Sequence, residues 1–404
     1  MRRVRTFSAM LVVTSFLLFF YLNFRLEMTT TVRATKNVSR KEDFTTIPAV
    51  VHIVTVSNDL RQIIPKDSAY WNRLLYSAMK NLENGERPRR REPHWSVCRE
   101  ENWELLKLNV HDFDSYPGMM QEFLRGMNCL SPPLLIDQPY KCVRAVRDNQ
   151  TLLLAIKSSP RNFERRQAVR ETWGHEGVYE GGMRVRLMFL MGNMAPDDPD
   201  LSTLLSFEAK HFEDILQWDF DDSLLNLTLK MNMFLKWTVK NCPSVSFIFS
   251  GDDDVFVNTP GLIKYLQSLD TNEASQLYAG QVISTASPLR DPRSKYYIPH
   301  SFYNGPYPAY AGGGGFLFSG ALLKPLFTVS QILPLFPIDD VYVGMLMKAL
   351  GVSPNSHGGF QTFDVRKEDR ENVCVHKANL LIHQRLPHQV EKLWRGINNP
   401  HLTC

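Results

Sequence analysis

Asp252, Asp253 and Asp254 stand side by side in the stretch Val245-Ser-Phe-Ile-Phe-Ser-Gly-Asp-Asp-Asp-Val-Phe-Val257. Three adjacent carboxylates repel one another and pay desolvation if even partly buried. Next to apolar sequence they need a cation or hydrogen-bond donors to offset their charge. Hard divalent ions such as Mg²⁺ and Mn²⁺ take carboxylate oxygens and also bind phosphates. The local chemistry is therefore that of a site for a metal–phosphate ligand. An acidic, solvated turn is the competing reading. A calcium loop of the EF-hand kind is excluded, because Val257 and Ile263 fall where it requires Gly and Glu.

Other residues carry chemical potential. Arg165, Arg166 and Arg170 follow the first predicted strand, and arginines at a strand-to-helix junction suit diphosphate recognition, against a solvated basic face. Tyr310-Ala-Gly-Gly-Gly-Gly-Phe316 lets a ligand approach the backbone closely, against a flexible connector. Tyr296, Tyr297, Phe302, Tyr303, Tyr307 and Tyr310 offer flat faces for a sugar ring. Asp339 and Asp340 open a predicted helix that runs from Pro337 to a stop at Gly351. One aspartate suffices as a cap, which leaves the other free, and the helix dipole favours the ionised form that a general base needs. His383 closes the apolar run Leu380-Leu-Ile; alone it reads as structural.

These groups need a scaffold. Strands are predicted at Leu152–Lys157, Val185–Met191, Asp214–Phe220 and from Val245, with helices at 163–173, 201–211 and 223–241, the last capped by Ser223. That βαβαβ rhythm implies a mostly parallel sheet covered by helices, with ligands at the carboxyl ends of the strands. The 404 residues, 44% hydrophobic and 22% charged, suffice for a sizeable core. A net charge of +4 with no basic–aromatic module excludes nucleic acid as an expected partner.

At the N-terminus, Arg2, Arg3 and Arg5 precede the apolar stretch 7–24, which as a helix would span about 27 Å. The expected layout is a cytoplasmic tail at 1–6, a signal-anchor at 7–24, a stem at 25–64, an N-terminal lumenal part at 65–150 and the main domain at 151–404. A cleaved signal peptide ending near Val32-Arg-Ala34 is the alternative. Asn37, Asn149 and Asn226 begin glycosylation sequons. The basic run Arg87-Pro-Arg-Arg-Arg91 reads as a solvated loop or a convertase site. Six cysteines without CxxC spacing suggest disulfides, Cys374–Cys404 among them.

Four segments in order resemble the β1,3-glycosyltransferases that include the fringe enzymes (glycosyltransferase family 31). They are Ala168-Val-Arg-Glu-Thr-Trp-Gly174, Gly251-Asp-Asp-Asp-Val-Phe-Val257, Tyr310-Ala-Gly-Gly-Gly-Gly-Phe316 and Ile338-Asp-Asp-Val-Tyr342. Ala69-Tyr-Trp-Asn-Arg73, Leu134-Leu-Ile-Asp-Gln-Pro139 and Phe256-Val-Asn-Thr259 are most similar to members that extend poly-N-acetyllactosamine. The resemblance implies an α/β GT-A fold and a type II Golgi membrane enzyme, open to homo-oligomers or association with other glycosyltransferases. It implies inverting transfer of N-acetylglucosamine from UDP-N-acetylglucosamine to O3 of a terminal β-galactose on glycoproteins or glycolipids. Asp340 would be the base, and Asp254 and His383 the ligands of Mn²⁺ or Mg²⁺. Asp252, Asp253, Lys157, Arg161, Arg165 and Arg166 would serve the nucleotide sugar. Tyr310, Gly312, Gly313, Gly314 and Asp339 are read as the acceptor and sugar pocket. Ser250 departs from relatives that carry lysine there, which bears on tuning of the donor site. Rival readings are a β1,3-galactosyltransferase and a non-catalytic Golgi carbohydrate-binding or chaperone protein on the same fold.

Overall fold

Leu152 to Ile156 are all fully buried, as a strand covered on both faces must be. The computed structural model describes residues 56–84, 94–142, 150–194, 198 and 200–404. The apolar stretch 7–24, the sequons at Asn37 and Asn149 and the basic run 87–91 lie outside them. No helix among the described residues is long and apolar enough to cross a membrane.

The chain begins its described part with helices α1 (Asn58–Ile63), α2 (Tyr70–Glu83), α3 (Trp95–Asn109) and α4 (Gly118–Gly126). Then come β1 (Leu134–Ile136), β2 (Gln150–Lys157), α5 (Phe163–Glu171), β3 (Gly177–Val178) and β4 (Met183–Asn193). The unit continues with α6 (Leu201–Phe212), β5 (Ile215–Asp221), α7 (Leu227–Asn241) and β6 (Phe247–Asp252). Strands β5, β4, β2 and β6 are parallel neighbours, as the alternating pattern predicts. Alternate residues of β2 feed two cores. Leu153 and Ala155 join α7 and the N-terminal helices, while Leu152, Leu154 and Ile156 face the side of α5 and α6.

After β6 come β7 (Phe256–Val257), α8 (Thr259–Ser268), α9 (Thr271–Ser275), β8 (Tyr278–Gly280), β9 (Val282–Ile283) and β10 (Tyr310–Ala311). The chain ends with β11 (Gly315–Ser319), α10 (Leu323–Ser330), α11 (Asp339–Ala349), β12 (Asn355–Ser356), β13 (Phe360–Gln361), α12 (Val373–Ala378), β14 (Leu381–Ile382) and α13 (Pro387–Ile397). The main sheet runs β1-β5-β4-β2-β6-β11-β8-β12. It is mixed, because β11 lies antiparallel to β6 with Gly315 opposite Gly251. A three-stranded sheet, β13-β14-β7, places the end of β14 beside the residues that follow β6.

Several expectations need correction. The stem does not reach residue 64: Leu60 and Ile64 are fully buried, and the Ser57 N–H donates to the Ala349 carbonyl at 2.8 Å. Residues 65–84 and 94–142, expected as the N-terminal lumenal part, share a core with the main sheet. Trp71 is fully buried, donates its indole N–H to the Leu335 carbonyl at 3.0 Å, and meets Tyr303 and Phe336 edge-on. Truncating a tryptophan so placed costs about 3–5 kcal/mol. Ser223 is not a cap, since α7 starts at Leu227 after Asn226. Asn226 is buried, its amide nitrogen donates to the Asp221 carbonyl, and Thr228 is fully buried. Disulfides join Cys374–Cys404 as expected, and also Cys98–Cys129 and Cys142–Cys242.

Candidate active site

The strand β6 ends at Asp252, and the turn after it presents Asp253 and Asp254. The three carboxylates do different things. Asp253 is buried and accepts from Ser158 Oγ at 2.7 Å, Asn162 Nδ2 at 2.8 Å and Arg165 at 3.1 Å. It ties down the loop between β2 and α5, so in this structure it acts as a clamp at the cleft wall. Asp252 and Asp254 are half-buried. Each gives one oxygen to a base: Asp252 Oδ1 to Lys157 at 3.0 Å, Asp254 Oδ2 to Arg165 at 3.2 Å. Their other oxygens turn to His383 Nε2, at 3.9 Å for Asp252 and 3.1 Å for Asp254.

His383 directly follows β14, which pairs with β7 just after the acidic triplet. Its Nδ1 lies 2.9 Å from the Thr362 carbonyl, which can only accept, so Nδ1 carries a proton and Nε2 faces the carboxylates. Ligand atoms of Asp252, Asp254 and His383 all lie within 4.8 Å of one another. Two carboxylate oxygens and an oriented imidazole nitrogen fit a divalent cation, and the nitrogen favours Mn²⁺ over the harder Mg²⁺. Burial opposes ionisation of Asp254, but His383 and then Arg165 hold its pKa below the ordinary value. Burial likewise opposes protonation of His383, and Asp254 wins by raising its pKa.

Lys157, at the end of β2, is buried and bridges to a second acidic pair. Its ammonium contacts Asp252 at 3.0 Å, Asp339 Oδ2 at 2.8 Å and the Gly313 carbonyl at 3.3 Å. Burial works against its charge, and Asp252 and Asp339 outweigh it. Asp340, beside Asp339 at the start of α11, accepts from the Gly313 N–H at 2.9 Å and the Val341 N–H at 2.8 Å. Burial, and then the Asp339 charge, push its pKa up to about 7.

The glycines serve this arrangement. A Cβ on Gly313 would lie 3.2 Å from Asp340 Oδ2, and one on Gly314 3.2 Å from the His383 ring. A Cβ on Gly312 would lie 2.6 Å from the Thr362 side chain. None of the three needs a left-handed backbone. Close approach by the protein's own side chains is one thing that requires them. Gly344 acts similarly: a Cβ there would meet the Tyr310 Cβ at 2.5 Å, so its absence lets α11 press against β10.

Some expected site residues fall elsewhere. Arg166 is fully buried, with its guanidinium on Glu208 at 2.6 and 2.8 Å and on the Ser159 carbonyl at 2.6 Å. It braces the fold. Arg161 is exposed and lies outside the cleft lining. Phe302, Tyr303, Tyr307 and Tyr310 are buried, and Tyr303 stacks on Tyr307, so most of the aromatic cluster is core and not a sugar platform. A cleft of about 340 Å³ opens over Lys157, Ser158, Arg165, Asp222 and the acidic triplet. A larger groove of about 540 Å³ beside Phe163, Phe212 and Pro387 holds none of these groups. Sequence reading did not pair Lys157 with Asp339 or single out Arg385, whose place is described below. Neither had a local signal.

A family model described as galactosyltransferase matches residues 164–357. N-acetyllactosaminide beta-1,3-N-acetylglucosaminyltransferase 2 of Mus musculus is 44% identical over 313 residues, 77% of each chain. The chain belongs to the galactosyltransferase family. The Homo sapiens protein of the same name as that mouse relative is 44% identical over 297 residues, 73% of this chain and 74% of that one. The acetylgalactosaminyl-O-glycosyl-glycoprotein beta-1,3-N-acetylglucosaminyltransferase of Mus musculus is 41% identical over 301 residues, 72% and 76% of the two chains. The galactosyltransferase span holds the acidic triplet, the glycine run and Asp340, but not Lys157 or His383. The roles of those two rest on the geometry of this chain.

Proposed function

We propose that this protein transfers N-acetylglucosamine from UDP-N-acetylglucosamine to O3 of a terminal β-galactose, extending N-acetyllactosamine chains with inversion at C1. The carrying observation is the pairing of two acidic sites through one buried lysine. Asp252, Asp254 and His383 form a donor set on one side, and Asp339 and Asp340 sit on the other. The activities for which the relatives are named supply the sugar and the linkage.

Asp340 accepts the O3 proton as the O3–C1 bond forms and the bond from C1 to UDP breaks. The Gly313 and Val341 N–H groups fix the Asp340 carboxylate, and Lys157 holds Asp339 beside it. Arg165 and Lys157 keep Asp254 and Asp252 in place at the cleft wall. A divalent cation bound by Asp254 and His383, with Asp252 beside them, would neutralise charge on the departing diphosphate. The fold reading is GT-A, with the β5-β4-β2-β6 half for the nucleotide sugar and the α11 side for the acceptor. The N-terminal basic and apolar stretch supports a type II Golgi anchor. Three disulfides suit an oxidising lumen.

The test is a screen of the full-length chain, in detergent, with several UDP-sugars against N-acetyllactosamine and other acceptors. Incorporation of N-acetylglucosamine that stops on chelation is the expected result. Preference for UDP-galactose, or sugar binding without transfer, would replace this reading.

A further inference from the structure

Arg385 lies two residues after His383 and is 2% exposed. Its backbone N–H donates to the Asp254 carbonyl at 2.7 Å. Its guanidinium donates to the carbonyls of His383 and Gln384, each at 3.0 Å, and pairs with Asp364 at 2.8 Å. Its Nε donates to His376 Nε2 at 3.1 Å. Arginine nitrogens only donate, so His376 Nε2 must accept. The proton of His376 is then on Nδ1, which donates to the Asn372 carbonyl at 2.7 Å. His376 is fully buried, and its ring meets Phe256 of β7 edge-on at 5.1 Å. Asp364 and Gln384 both hold a left-handed backbone, φ 73° and 61°, rare for such residues. Both are bonded to Arg385.

We infer that Arg385 is a positioning residue for the cation site, and that neutral His376 and Asp364 orient it. One side chain reaches the main chain of His383, while its own backbone holds Asp254, so the two ligand-bearing segments share a single support. Outer groups that fix metal ligands in this way typically govern affinity. The inference rests on the cation reading above, and it is tested by binding, not turnover.

Free Mn²⁺ is titrated by electron paramagnetic resonance against the full-length chain with UDP, alongside circular dichroism to establish folding. Arg385→Lys keeps a charge but lacks the fork, and is expected to weaken Mn²⁺ binding roughly 10- to 100-fold in folded protein. His376→Leu removes the acceptor and should weaken it in the same direction. His376→Gln can accept from Arg385 and donate to Asn372, and should bind Mn²⁺ near the wild-type level. Wild-type affinity in Arg385→Lys and His376→Leu overturns the inference, as does equal weakening by His376→Leu and His376→Gln. If Arg385→Lys does not fold, the His376 pair decides alone. Failure of the wild-type chain to bind Mn²⁺ at all overturns the cation reading itself.

Discussion

Of the two acidic sites joined by Lys157, each holds one aspartate, Asp254 in the first and Asp340 in the second, whose tuning runs opposite to the other's. At the end of β6, Asp254 faces His383 and Arg165, which keep it ionised. At the start of α11, Asp340 sits next to the buried Asp339 and is held by two backbone N–H groups. The first arrangement suits a permanent anion, as a ligand must be. The second suits a group that takes up a proton and gives it back. Neighbouring charge, not residue identity, separates the two roles.

The largest expected effect breaks the base side alone. Asp340→Asn should lower kcat by roughly 10²- to 10⁴-fold, the usual range for loss of a general base, with Mn²⁺-dependent UDP binding intact by calorimetry. Equal activity in that variant removes Asp340 from the reaction. Breaking the other side comes next. Asp254→Ala should weaken Mn²⁺-supported UDP binding by more than the roughly 10- to 100-fold typical of outer groups, and excess Mn²⁺ should restore part of the turnover.

The acid limb of the rate sharpens the contrast. Asp340 must be ionised to accept a proton, so kcat should fall about tenfold per pH unit below its raised pKa and level off above it. That pKa lies at about 7. Asp339→Asn removes a neighbouring negative charge, so the limb should move to lower pH. A limb that stays put or moves up contradicts the pairing. The smallest effects come from the glycines. Gly313→Ala crowds Asp340 at 3.2 Å and should reduce kcat about tenfold or less with Mn²⁺ affinity unchanged. Gly314→Ala crowds His383 and should do the reverse, which separate titrations of Mn²⁺ and rate would resolve.

The acidic groups were legible in the sequence because each follows or opens a strongly patterned element, β6 or α11. The parallel core strands were legible for the same reason. The partners were not. Lys157 and Asp339 are 182 positions apart, and no local pattern predicts that bond. Arg166 looked like a ligand arginine because spacing shows a face and not the Glu208 opposite it. The glycine run read as a connector or a ligand approach, yet it leads into β11 at the middle of the sheet. Its small residues answer to Asp340, Thr362 and His383, which only the folded chain brings near. The buried tyrosines misled because aromatic composition does not distinguish a platform from a core.

His383 completes a ligand set whose nearest carboxylate, Asp254, stands 129 positions earlier. The proposed cation site is therefore complete only once the segment carrying His383 has been synthesised and has folded back against β7, so its assembly is timed by where one histidine is encoded.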